Sequence, residues 1–237
     1  RLQNPAIRDK VLSEMTVPTD EWENLGLAAG AEGTLLVGFR NPELRRYLGM
    51  TLAEVAAERE TSAADTVIDL VIEDGSRVQV VYFLMSEENV ARGIALPWVS
   101  FASDARSMTT AGSFIEQSTH PRAYGNFARV LGKYVREEQI ISLPEAIRKL
   151  SKLPASNLKI RDRGELRESY FADIVIFDPA DIQDHATFDD PHQYATGMAY
   201  VIVNGDIVID KGEHTGALPG QVVRGPGWRG WKDSDTN

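Results

Sequence analysis

Val99-Ser100-Phe101-Ala102-Ser103-Asp104, near the middle of a 237-residue chain, is a short apolar run that ends in a carboxylate. Taken as a strand over Trp98 to Ala102, it leaves Asp104 just past a C-terminal strand end, the rim at which α/β barrels present catalytic groups. Sixteen residues further on, His120-Pro121-Arg122 brings a basic group out of a loop.

Upstream, helical and strand patterns alternate. Pro5 to Met15 has the spacing of a short amphipathic helix, and Gly33 to Phe39 reads as a buried strand bounded by Gly and by Asn41-Pro42. Thr51 with Glu54 three residues later is a capping box that opens a helix to Glu58. The helical period returns over Ser62 to Glu73. Val78 to Phe83 is β-rich, and Ser86 to Leu96 reads as a helix capped by Ser86, with Glu87 and Glu88 where the dipole favours them. This alternation predicts an α/β organisation with parallel strand pairing.

Downstream, Pro121 to Asn157 is helical, with Ala128, Leu131 and Val135 on one face and Pro144 inside the first turn of a second helix. From about Gly164 the character changes. Ala172 to Pro179 is a short strand ending in a turn, and Tyr200 to Ile209 reads as a hairpin around Asn204-Gly205. The tail, 228–237, is rich in Gly, Trp and charge and reads as loosely ordered. Trp228 and Trp231 there suit either a frayed end or a contact with a larger protein.

Composition narrows the function classes. A net charge of -10 argues against a nucleic-acid or anionic-membrane partner, which would call for a basic face. No apolar run reaches membrane-spanning length, and the N-terminus lacks a signal-peptide pattern. Cytoplasm is compatible, and a cysteine-free chain suits a periplasm too. With no Cys and four His, all after residue 119, the chain offers no metal set of its own. His185, His192 and His214 lack zinc-site spacing and read as solvated loop residues. Gly125 and Gly132 lack the strand–loop–helix setting of a phosphate cradle. The acidic run Asp181 to Asp190 matches no calcium loop and reads as a solvated face. The chain opens at Arg1 without an initiator Met, which suggests a fragment or a processed product.

The sequence resembles the C-terminal part of N-acyl-D-amino-acid deacylases (D-aminoacylases) of the amidohydrolase superfamily. The residues that carry the likeness are Ser103-Asp104 and the block from His120-Pro121-Arg122-Ala123-Tyr124-Gly125-Asn126 to Gly132. Ala172-Asp173-Ile174-Val175-Ile176-Phe177-Asp178-Pro179, Val203-Asn204-Gly205 and Thr215 to Gly220 follow in order. It departs from the common pattern at Ala105 and Ser169, where many members carry Gly.

The resemblance implies a zinc hydrolase made of a (β/α)8 barrel and a small β-sandwich. Residues 1–160 would supply the last barrel strands and helices, and 161–227 part of the sandwich. The zinc ligands would lie mostly outside this chain, with Asp104 as one possible ligand. The implied activity is cleavage of the amide bond of small N-acyl-D-amino acids, with this chain inactive alone and completed by an N-terminal half or a companion chain. A non-catalytic partner subunit that completes a barrel, or an amidohydrolase acting on cyclic amides, are the alternatives.

In that reading Asp104 takes a proton from the attacking water and passes it to the leaving nitrogen. On spacing alone, an Asp after a strand reads first as the cap of a turn. Arg122 would bind the substrate carboxylate through its planar fork; the plainer reading is a surface Arg at a helix start, where the dipole mildly disfavours it. His120 would orient substrate or its loop, and beside Pro121 it equally reads as part of a helix-opening turn. Tyr124 would line the pocket, or simply pack.

Overall fold

The computed structural model describes residues 1–228. They form two compact units. The first comprises Arg1–Glu87, Ala105–Tyr124 and Ala186–Gln193; the second comprises Glu88–Asp104, Gly125–His185 and the described chain from Tyr194 onward.

In the first unit, helix α1 (Pro5–Thr16) opens on Asn4, whose side chain accepts the N–H groups of Ala6 and Ile7, with proline at the first helical position. Strand β1 (Thr34–Gly38) is buried throughout. Helix α3 (Leu52–Glu58) follows the short α2 (Leu25–Ala29) and begins with both halves of the Thr51/Glu54 capping box. Helix α4 (Ala63–Asp74) is capped by Ser62 and stopped by left-handed Gly75. Arg8 ties α1 to α4 by reaching Asp65 and Asp69, each at 2.7 Å. The core gathers Leu36, Phe39, Leu44, Tyr47, Val55 and Leu70.

Strand β2 (Gln79–Tyr82) pairs with β1 antiparallel, which corrects the expected parallel pairing. Gly38, the last residue of β1, lies opposite Gln79, the first of β2. Two helices intervene rather than one crossover helix, so the chain returns to the end at which it left the sheet.

In the second unit, α5 (Glu87–Ala95) starts at the unit boundary and leads into residues 96–104, which adopt no regular structure. The strand expected at 98–102 is therefore not formed. A strand exists only through a neighbouring ladder, and none of the described residues pairs with this segment. Helix α6 (Arg122–Arg129) continues into a wider π-helical stretch, Val130–Glu137. Next come α7 (Leu143–Ile147), a second π-helical stretch (Arg148–Lys152) and α8 (Leu153–Asn157). Pro154 cannot donate a helical hydrogen bond, and the widened turn lies directly before it.

The core here is Ala128, Val130, Leu131, Ala146 and Ile182. Two helical glycines let the 180s loop approach: a Cβ at Gly125 would come within 2.8 Å of the Asp184 Cβ, and one at Gly132 within 3.0 Å of the Ile182 carbonyl. Close packing, not anion binding, accounts for both.

The chain ends in a four-stranded antiparallel sheet ordered β3 (Ile174–Phe177), β4 (Met198–Val203), β5 (Asp206–Asp210), β6 (Glu213–His214). The β4–β5 hairpin turns through Asn204 and Gly205 with φ of 52° and 92°, as the Asn-Gly pair predicts. Ser169 sits at φ 67°. No helix among the described residues is long and apolar enough to cross a membrane. Of the expected loose tail only Trp228 is described, stacked 3.8 Å under the Arg224 guanidinium; Trp231 lies outside the described residues.

Candidate active site

Asp104 closes the irregular segment that follows α5. Its backbone is left-handed, φ 44°, and the residue is exposed. Left-handed backbone is uncommon outside Gly, and Asp is among the residues that tolerate it best. Two residues before it, the Ala102 carbonyl accepts a hydrogen bond from the Asn126 Nδ2 at 3.1 Å. Asn126 thus serves the Asp104 segment, a role that its place on a helix does not reveal.

Asp104 belongs to the second unit, whereas His120, Arg122 and Tyr124 belong to the first. Those three stand together. The turn before α6 lets the His120 Nδ1 accept the Arg122 backbone N–H at 3.0 Å. That bond requires Nδ1 to be unprotonated and leaves the ring hydrogen on Nε2 when the ring is neutral. His120 also meets the ring of Phe188 edge-on, centroids 5.0 Å apart, and Phe83 packs on the same Phe188 at 4.7 Å. Burial first, and then the Arg122 cation, lower the His120 pKa below the usual imidazole value.

Arg122 is the first residue of α6, which has no acidic side chain in its first turn. The residue is half-buried. The Tyr124 hydroxyl donates to the Thr109 carbonyl at 2.9 Å, fixing the ring against the preceding loop. His192 meets that ring edge-on at 5.7 Å, and its Nε2 is buried without a hydrogen-bond partner. His192 is therefore no solvated loop residue; its aromatic neighbour is far away in sequence, so spacing could not reveal it. His185 stays exposed and bonds Thr196 at 2.8 Å, and His214 is exposed too. In the acidic run, Asp184 is drawn in by Arg129 at 3.0 Å.

Arg122 brings a positive charge close to His120 in this group. Among the described residues no three His, Asp or Glu side chains converge to hold an ion. Asp104 offers at most a single ligand, so these residues do not by themselves fit a zinc ion.

Residues 99–209 match the amidohydrolase family. The chain is 38% identical over 182 residues to a D-aminoacylase of Alcaligenes xylosoxydans xylosoxydans, an alignment covering 77% of this chain and 34% of that protein. A crystal structure of D-aminoacylase, described as defining a novel subset of amidohydrolases, superposes with a TM-score of 0.69 at 34% identity over 80% of this chain and 37% of that one. The N-acyl-D-glutamate deacylase of Bordetella bronchiseptica, solved with zinc and a phosphonate mimic of the tetrahedral intermediate, gives 0.69 at 30% identity over 84% and 39%. The chain thus spans about a third of the length of the curated relatives it matches.

Proposed function

From its likeness to D-aminoacylases over about a third of their length, we propose that the chain supplies the C-terminal part of an N-acyl-D-amino-acid deacylase of the amidohydrolase superfamily. In this reading 1–160 complete a barrel and 161–227 contribute to a β-sandwich, a division that the four-stranded antiparallel sheet supports. The substrates are small N-acyl-D-amino acids. Their amide is hydrolysed to a carboxylate and a free D-amino acid.

The observation that carries the proposal is the turn opening α6, where the His120 ring accepts the Arg122 backbone N–H and Arg122 stands at the first helical position. A free carboxylate beside the scissile amide is what a guanidinium fork recognises, through two parallel N–H···O bonds. Asp104 takes the proton of the attacking water as the new C–O bond forms. It then delivers that proton to the amide nitrogen as the C–N bond breaks, so that the amine leaves neutral. His120 acts through Arg122, by holding its backbone. Zinc accompanies the Bordetella relative; the described residues here supply no set for it, and no step is assigned to it in this chain.

The test is Asp104→Asn in the whole enzyme. Loss of turnover with an unchanged melting temperature and circular dichroism spectrum is expected. Turnover equal to wild type would remove Asp104 from the mechanism and favour a non-catalytic, barrel-completing role for the chain.

A further inference from the structure

Lys149 is fully buried, with 0% of its surface exposed, and among the described residues no carboxylate bonds it directly. Glu145, one turn before it, is taken up by Arg148 at 2.7 Å. Instead the Lys149 ammonium donates to the Ile94 carbonyl and, at 2.7 Å, to the Leu96 carbonyl, and lies 5.5 Å from the centre of the Phe101 ring. Arg148 donates to the Pro97 carbonyl at 2.6 Å, and Asn126 to that of Ala102. These side chains all come from the helical stretch downstream, and they all hold 94–102, the segment that leads to Asp104.

A buried, unpaired ammonium is expensive, and an apolar side chain of similar length would fill the space without that cost. Desolvation accordingly lowers the Lys149 pKa. What offsets the cost is the C-terminal end of α5, whose last carbonyls have no helical partners and carry the negative end of the helix dipole. Three donors in a cluster can engage one of those oxygens, that of Ile94, together with the Leu96 carbonyl just past the helix, and the charge lies close to an aromatic face.

We infer that Lys149 is the positioning residue of the Asp104 segment, its ammonium doing for 94–101 what a strand ladder would otherwise do. Asp104 sits at the end of an irregular stretch of chain. The grip of Lys149 on the α5 terminus and on Phe101 sets where that chain starts and how it turns. The inference rests on the reading of Asp104 as the proton-transfer group.

The experiment is hydrogen–deuterium exchange by peptide mass spectrometry on the whole protein, with steady-state kinetics on an N-acyl-D-amino acid, for wild type, Lys149→Met and Lys149→Arg. In Lys149→Met, exchange over 96–104 is expected to speed up about tenfold while 143–157 changes little, the signature of a local opening. kcat falls with KM nearly kept, and Lys149→Arg, which retains charge and donors, recovers part of both. Unchanged exchange over 96–104, acceleration spread evenly over the unit, or local loosening with kcat intact each overturns the inference. Should Lys149→Met not fold, Lys149→Gln, neutral but still a donor, is read by the same criteria. A wild-type protein that hydrolyses no N-acyl-D-amino acid would sink the deacylase reading, and the exchange data would still decide whether Lys149 holds the segment.

Discussion

The Nδ1 of His120 accepts the backbone N–H of Arg122 at 3.0 Å, so His120 holds the turn that opens α6 only while that nitrogen is unprotonated. Burial and the nearby Arg122 cation favour the neutral ring in the folded protein. The unfolded chain therefore takes up the proton first as the pH falls. The stability held by neutral His120 is complete above the ordinary imidazole value of about 6.5 and is lost as the pH falls through it toward the depressed folded value. Urea denaturation at pH 7.5 and 5.5 is expected to show a drop that shrinks in His120→Asn, whose amide oxygen accepts the same N–H at either pH. An equal drop in both proteins would show that His120 does not carry it.

Arg122→Lys keeps the charge and loses the fork. KM for N-acyl-D-amino acids is expected to rise on the order of ten- to a hundredfold, with kcat less affected, because a point charge cannot reproduce paired, planar bonds. Steady-state kinetics check this, and an unchanged KM would separate Arg122 from the substrate carboxylate.

Zinc titrated into the 237-residue chain by itself is expected to show no saturable one-to-one site by calorimetry, since no three candidate ligands converge among the described residues. A stoichiometric site would mean that ligands assemble in solution which the fold described here keeps apart.

Gly197 has φ 92°, and a Cβ there would fall 2.5 Å from the Ile182 Cα, with backbone rather than a movable side chain in the way. Gly197→Ala combines that clash with left-handed strain and should lower stability by about 3 kcal/mol or more. Chemical denaturation measures it; a loss below about 1 kcal/mol would mean that the loop at Ile182 gives way.

Much of the fold is legible because its signals are local. The Thr51/Glu54 box and the Asn204-Gly205 turn each need only a few neighbouring residues, and both form as the sequence predicts. The failures are non-local. The pairing sense of β1 and β2 depends on how two intervening helices return the chain. The run Trp98 to Ala102 has strand composition, but its conformation depends on partners that no spacing rule encodes. The same holds at the candidate site. Arg122 and His120 are two residues apart in sequence and could be paired by inspection. His192 meets Tyr124 from 68 residues away, and Lys149 looks like one more helical lysine until its carbonyl partners are seen.

The Leu96 carbonyl and the Lys149 ammonium that holds it are 53 residues apart in the chain. During synthesis the segment bearing Asp104 emerges well before its anchor. At roughly 5–20 residues per second, several seconds separate the two, with an apolar run left unheld in the interval. Translation speed between residues 96 and 149 thus sets how long that run is open to chaperones or to other nascent chains. A synonymous-codon change that slows this interval would lower the yield of folded protein without altering a single amino acid.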